Sequence, residues 1–336
     1  MKKVIALFLI VALTLSLAAC SGSTEKRSGD EAVVKEETST NASEDSYTIG
    51  FAVNALDEVQ SILVDAFTEY AEGKGAEVVV LNADSNVDKQ ITDIESLITQ
   101  EVDAIVIQAV DSDAVCDVAQ QAMDADIPVI DSIFGINTPC TLHVSYDFYT
   151  YASYQGQFIR DYLEANPEVQ LMIGYCWGAQ GTNLTEKLYN GFTETLFADD
   201  TYTDRVEILV EKVVDWDANK TINAVEDWLQ AYPQMNCIVT MSDTMTMAAV
   251  HALRAAGEDT SAWVTVGKDG SEDALESIID GGMTATIYAP LDTYAQELAG
   301  QVLNILDGTS NPKLGEEYGV SEFVTISKDN AGDYTQ

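Results

Sequence analysis

The sequence predicts an α/β protein built as two doubly wound parallel-sheet lobes. Three observations carry that expectation. From Tyr47 onward, short apolar runs alternate with longer segments of helical periodicity, the pattern of strands joined by crossover helices. The strand segments are apolar at successive residues, as in strands covered by helices on both faces. The 336 residues amount to about two domains at roughly 150 residues each, and the alternation restarts near Leu142.

Taken in order, Tyr47–Val53 reads as a strand. Asp57–Gly73 reads as a helix, with Val59, Ile62, Leu63, Ala66, Phe67 and Tyr70 at helical spacing and glycines at its end. Strands over Glu77–Leu81, Ala104–Gln108 and Ile127–Asp131 alternate with helices over Val87–Gln100 and Ser112–Ala125. The second series has strands at 142–145, 169–175, 205–211, 237–241, 263–267 and 283–288. Its helices lie at 149–164, 182–197, 219–231, 244–256 and 272–280. A long helix over Leu291–Leu306 and a last strand over Phe323–Ile326 complete the chain. Open sheets of this kind bind ligands beyond the carboxyl ends of their strands, so two facing lobes predict a cleft there that closes by hinge motion.

The start of the chain reads as an address. Lys2 and Lys3 precede an apolar run, Val4–Leu17, of signal-peptide length and short for a membrane span. The run closes on Leu17-Ala18-Ala19-Cys20, which resembles the lipobox of bacterial lipoproteins. The resemblance implies a signal peptide over 1–19, lipidation of Cys20 and attachment to the extracytoplasmic face of the cell membrane. An ordinary secretory peptide is the alternative. Residues 20–45, rich in Ser, Thr, Glu and Asp, bury too little to order themselves and read as a disordered tether.

Composition narrows the function. Sixteen Lys and Arg against 56 Asp and Glu give a net charge of −40. That argues against nucleic acid, which demands clustered cations, and fits a monomer kept soluble by self-repulsion. Two histidines, His143 and His251, leave little material for His-based metal sites or catalysis. His143 sits in an apolar strand and reads as a satisfied core residue. Beyond Cys20, the cysteines Cys116, Cys140, Cys176 and Cys237 lack the spacing of a disulfide framework and favour free, mostly buried thiols over pairing. Asp84–Glu95 mimics a calcium loop but has Lys89 where that loop needs glycine, so helix capping explains it better. No phosphate loop, GxSxG or HExxH motif occurs, so no metal and no cofactor is expected.

Several stretches taken together resemble the type I periplasmic solute-binding proteins of ribose- and galactose-type ABC importers. These are Ile49-Gly50-Phe51-Ala52-Val53, Asp93–Ile98, Val102–Ile107, Asp111–Val115 and Ile127–Ile130, then Asp215-Trp216-Asp217, Ser242-Asp243 and Val266–Gly270. The resemblance covers nearly all of residues 47–330, and its order and spacing are its strength. It implies that the chain crosses between lobes three times, near Asp147, Pro290 and Ser321. The lobes would then be 46–147 plus 290–321, and 148–289 plus 322–330.

The same resemblance supplies candidate ligand contacts. Asn54 follows the first strand where the family binds sugar hydroxyls. The next turn usually carries stacking aromatics, and here it holds Glu58-Val59-Gln60-Ser61. The ribose-type Asp-Arg pair falls on Ile133 and Phe134, with Asp131 just before, and a family arginine falls on Glu186. Those departures count against ribose itself. Trp216 matches a pocket aromatic, and Trp177 ends another strand; an indole offers a face to a sugar or a cation. Ser242, Asp243, Asp269 and Tyr288 also stand at strand ends. Asp269 is the firmest polar candidate, and helix capping competes for Asp243. Asp147 reads as a hinge residue rather than a ligand contact. The set is rich in acids, which disfavours anionic ligands and fits a neutral polyol or an amine.

The expectation is a non-catalytic binding protein that captures a small polar ligand, a neutral sugar first, and delivers it to an ABC permease. A ligand sensor signalling to a membrane receptor or histidine kinase is the alternative. An exported sugar-modifying enzyme would need a carboxylate pair such as Asp131 with Asp269.

Overall fold

The computed structural model describes residues 46–179 and 181–335, and of Glu58 the backbone alone. The leader, Cys20 and the tether lie outside the described residues. The first series of elements is β1 (Thr48–Val53), α1 (Glu58–Gly73), β2 (Glu77–Asn82), α2 (Val87–Thr99), β3 (Ala104–Ile107), α3 (Cys116–Asp124), β4 (Val129–Ser132) and β5 (Leu142–Tyr146). The second is α4 (Phe148–Ala165), β6 (Leu171–Trp177), α5 (Asn183–Leu196), β7 (Val206–Val213), α6 (Ala218–Ala231), β8 (Cys237–Thr240), α7 (Asp243–Ala256), β9 (Val264–Val266), α8 (Glu272–Ile279) and β10 (Ala285–Tyr288). The chain ends with α9 (Leu291–Leu306), β11 (Glu316–Val320) and β12 (Val324–Ser327).

Two sheets result, and they share one plan. The first has the order β11-β5-β4-β3-β1-β2, the second β12-β10-β9-β8-β6-β7. The first is parallel throughout. In the second, only β12 runs antiparallel, against β10. Strands β3, β4, β8 and β9 are buried at every residue, as continuous apolar runs require of central strands.

Two boundaries and one strand differ from the sequence reading for physical reasons that the structure shows. Helix α3 starts late because the Asp111 carboxylate accepts from the N–H groups of Asp113 and Ala114 and holds that stretch in a turn. Strand β4 starts after Pro128, which has no N–H to give to a ladder. Strand β11 was not expected at all. It pairs along its length with β5, but its Glu316 and Glu317 are exposed and only Val320 is buried. In the calcium-like stretch, Asn86 caps α2 by accepting from Lys89 N.

Helices cover both faces of each sheet. On the first, α1 and α9 enclose Phe51, Phe67, Leu298 and Tyr294, with the Phe51 and Phe67 rings edge to face at 5.0 Å. Full burial of each such ring contributes about 2–3 kcal/mol. The opposite face is closed by α2 and α3 through Ile94, Leu97, Val118 and Ala122. The second sheet packs Phe192, Val225, Trp228 and Leu253 from α5, α6 and α7 against its strands, with Tyr175 of β6 in the same cluster. Cys140, Cys176 and Cys237 are buried thiols and Cys116 is half-buried; all four are free.

The chain passes from one sheet to the other between β5 and α4, between β10 and α9, and between β11 and β12. Asp147 governs the first passage. Its carboxylate caps α4, accepting from the N–H groups of Tyr149 and Thr150, and its own N–H donates to Val320 O. Aromatic rings fill the space around these passages: Tyr146 lies 4.8 Å from Tyr294 and 6.1 Å from Phe323, and Phe323 stacks on Tyr151 at 4.3 Å.

Candidate functional site

In each sheet the winding reverses next to one strand, β1 in the first and β6 in the second, which lies between neighbours reached in opposite directions. The loops leaving the strand ends diverge there and open a crevice. A buried glutamine braces strand ends in each sheet. Gln90 of α2 donates to the carbonyls of Ala52 and Gln108 and accepts from Val110 N. Gln155 of α4 donates to Thr240 O and Gly267 O, each at 2.9 Å.

At the first sheet, Asn54 leaves β1 half-buried, its carboxamide oxygen accepting from Ala55 N at 2.7 Å. Glu58 opens α1. Asp131 is inside β4 rather than beyond it, and is 2% exposed. Its Oδ2 accepts from Ile136 N at 3.0 Å and pairs with His143 Nδ1 at 2.7 Å, which holds it under the turn that follows. His143 is thus half-buried and hydrogen-bonded to Asp131 rather than a core residue. Its hydrogen bond to the Asp131 carboxylate raises its pKa, against the lowering effect of burial. Phe134, half exposed, reaches a cavity of about 580 Å³ between the two halves, with Tyr146, Phe148, Leu184, Lys187 and Tyr318. Lys187 of α5 pairs there with Glu317 of β11 at 3.6 Å, linking the halves.

At the second sheet, Trp216 follows β7 with φ 61°, directly after Asp215 at φ 51°. Two left-handed residues in sequence are strained unless their surroundings fix them. Here Asp215 N donates to Gly178 O, Val214 N donates to Trp177 O, and Asp215 pairs with Lys220. The turn lays the indole over Gly178 at the end of β6, where a β-carbon would overlap the ring. Trp177 goes elsewhere. Its ring stacks on Tyr189 at 4.2 Å, and both donate to the Glu211 carboxylate. With exposed Glu186 it lines a separate cavity of about 400 Å³.

The remaining candidates converge at β8, β9 and β10. Ser242 caps α7 by accepting from Met245 N. Asp243 is 1% exposed and accepts from Thr286 Oγ1 at 2.7 Å and Ser271 N at 2.9 Å. Burial pushes its carboxyl up to about 6, the nearby Asp269 adding to the effect and these hydrogen bonds opposing it. Asp269 is exposed, pairs through its backbone with β10 beside half-buried Tyr288, and has its Oδ1 2.7 Å from Lys268 Nζ. Two contributors escaped the sequence reading. Lys268 is buried in an acid-rich site, and the lone base in Val266–Gly270 was its signal. Gln108, just after β3, is fully buried, and its carboxamide has no protein partner.

The family model described as periplasmic binding protein domain matches residues 49–310. The chain belongs to that family. Among curated relatives, the ribose import binding protein of Bacillus subtilis (strain 168) is 29% identical over 290 residues, covering 85% of this chain and 88% of the relative. The xylitol-binding protein of Mycolicibacterium smegmatis is 25% identical, covering 74% and 68%. Solved structures agree in fold. The Conexibacter woesei protein titled a periplasmic ribose ABC transporter superposes with a TM-score of 0.71 at 15% identity, covering 86% of this chain and 94% of that one. A Bacillus halodurans solute binding protein with bound myo-inositol gives 0.61 at 20%, covering 87% and 99%.

Within this periplasmic binding protein, the strand-end candidates do not form one cluster. Asp269, Tyr288, Ser242 and Asp243 are neighbours. Trp216 packs over Gly178 at the end of β6. Trp177 and Glu186 belong to the outer edge of the second sheet, and Phe134 to the cavity between the halves. Asp131 and Asp269, the pair an enzyme would use, are each already engaged, with His143 and Lys268 respectively.

Proposed function

We propose that this chain is an extracytoplasmic binding protein, tethered through a lipid on Cys20, that captures a small polyhydroxyl solute and delivers it to an ABC permease. A sugar is the first candidate. The observation that carries the reading is the pair of sheets with one strand plan, joined by three passages, with Trp216 and Asp269 at strand ends of the second. We place the solute against Asn54, Trp216 and Asp269, with Gln108 offering an unspent donor and acceptor at the first sheet. Asp243 we read as a support for that wall, since its carboxylate is consumed by Thr286 and Ser271. Relatives named for ribose, xylitol and D-apiose, and structures holding D-allose and myo-inositol, support a polyol over an anion. No step of bond making is assigned: the acids that could serve one are held in internal pairs.

The test is the melting temperature of the full chain against D-ribose, D-allose, xylitol and myo-inositol. A ligand that binds only the folded state stabilises it by RT ln(1 + [L]/Kd), about 2.7 kcal/mol at about 100 Kd. A shift with one of them, lost in Asp269→Ala and in Trp216→Ala, is the expected result. No shift with any of these polyols or with amine-bearing polyols refutes the reading.

A further inference from the structure

We infer that Lys268 sets the charge class of the ligand, acting through Asp269 to select an uncharged polyol over one bearing an amine. The inference rests on the solute-binding reading above and adds a residue to it.

Lys268 follows β9 and is 8% exposed. A buried ammonium is costly unless its charge is met, and here two groups meet it. Its Nζ lies 2.7 Å from Asp269 Oδ1 and 4.5 Å from the centroid of the Tyr151 ring. Neither partner is loose. Tyr151 donates its hydroxyl to Ile287 O at 3.1 Å and stacks on Phe323 with the ring planes 5° apart. Asp269 donates its N–H to Ile287 O at 2.8 Å. Consecutive residues of an extended strand point to opposite faces, and the φ of 129° at Asp269 breaks that alternation where the carboxylate meets the ammonium. Asp269 itself remains 46% exposed in its side chain. The pair therefore turns its acidic member outward and keeps its basic member inside.

That arrangement has a chemical consequence. The exposed carboxylate has one oxygen committed to Lys268, leaving Oδ2 to accept from a ligand hydroxyl. Its charge is already balanced, so an ammonium on a ligand gains little from it and meets a second ammonium a few ångströms behind. The other acid nearby, Asp243, is buried, spends its charge on Thr286 and Ser271, and lies in the first turn of α7, where the helix dipole offsets it. The acid-rich sequence around the site thus presents a locally neutral acceptor.

The experiment measures dissociation constants of the full chain for D-ribose, D-allose, xylitol and myo-inositol. Each is compared with the analogue in which one hydroxyl is replaced by a primary amine. Wild type should favour the neutral member of any pair it binds. Lys268→Met should move the neutral-to-amine preference at least tenfold toward the amine, as expected when a unit charge a few ångströms away is removed. Lys268→Arg, which keeps the cation, should retain the wild-type preference. A purely structural role would weaken both members of a pair equally, and the melting temperature of each unliganded variant shows whether it folds. A wild type that favours the amine, or an unchanged ratio in Lys268→Met, overturns this inference alone. If Lys268→Met does not fold, a Lys268→Gln variant carries the same test. Binding of no probe by wild type overturns the solute reading, and this inference with it.

Discussion

Raising the pH from about 4 to about 7 should weaken the second half of this protein through Asp243. The carboxyl is 1% exposed. Burial lifts it from an ordinary 3.8 to about 6 in the folded chain, with Asp269 adding to the shift and Thr286, Ser271 and Gly270 opposing it. The folded state then holds a proton that the unfolded state releases. The favourable term is complete below the unfolded value and disappears as the pH rises through about 6. A shift of about two units at 1.36 kcal/mol each amounts to about 3 kcal/mol lost by pH 7. All four tryptophans, Trp177, Trp216, Trp228 and Trp263, belong to the second series of elements, so tryptophan emission during urea unfolding reads that half. Asp243→Asn keeps the side-chain shape and removes the titration. Wild-type stability minus variant stability should fall by about 3 kcal/mol between about pH 4 and about pH 7.5. A difference that stays constant within about 0.5 kcal/mol, the scatter of an ordinary surface change, refutes the argument.

His143 gives the opposite half a related dependence. The Asp131 hydrogen bond raises its pKa above 6.5, so its contribution is full below that value and fades as the pH rises through the folded one. In His143→Gln this part of the stability-against-pH curve should be flat. Gly178→Ala forces a methyl into the Trp216 indole. It should cost about 1–3 kcal/mol and shift tryptophan emission; an unchanged melting temperature and spectrum would contradict the packing described. Burial pushes the Cys140 thiol up to about 11 and the Cys176 thiol up to about 12, and Cys237 further still. Among these and Cys116, a water-soluble thiol reagent should therefore label only Cys116 in the native state, as mass mapping can show, and rapid labelling of a second would contradict it.

The fold was legible because its signals are local. Continuous apolar runs such as Ala104–Ile107 and Cys237–Thr240 allow no other covered strand, and Asp57, Asn86, Asp217 and Ser271 cap helices where capping residues precede apolar periodicity. Strand β11 was not legible. Its Glu-Glu-Tyr-Gly-Val is held by backbone pairing to β5 rather than by burial, and a sheet edge leaves no apolar pattern. The candidate residues were legible as positions and not as directions. Counting to the end of a strand finds Asp131, Trp177, Asp243 and Asp269 alike. Whether a side chain enters a crevice depends on what else competes for it. His143 and Ile136 take Asp131, Glu211 and Tyr189 take Trp177, and Thr286 takes Asp243. None of these partners is adjacent in sequence.

That competition also separates the charge of the molecule from the charge of its site. A net charge of −40 invites the expectation of a cationic ligand, since acids crowd every strand end. Yet long-range fields between exposed charges are screened within about 8–10 Å at ordinary salt, so the ligand responds to the few groups in its first layer. Followed one at a time, those acids are withdrawn. Asp131 turns inward to His143, Asp243 is sealed by two donors, Thr286 and Ser271, and Glu186 and Glu211 face another cavity. Asp269 stays 46% exposed in its side chain, and Lys268 pairs with it from its buried side. A neutral polyol asks of a site what remains there: acceptors without net charge, the Trp216 face, and the unpartnered Gln108 carboxamide. The acidic exterior then serves self-repulsion, and the proposed role of Lys268 is to set the charge of what the site accepts.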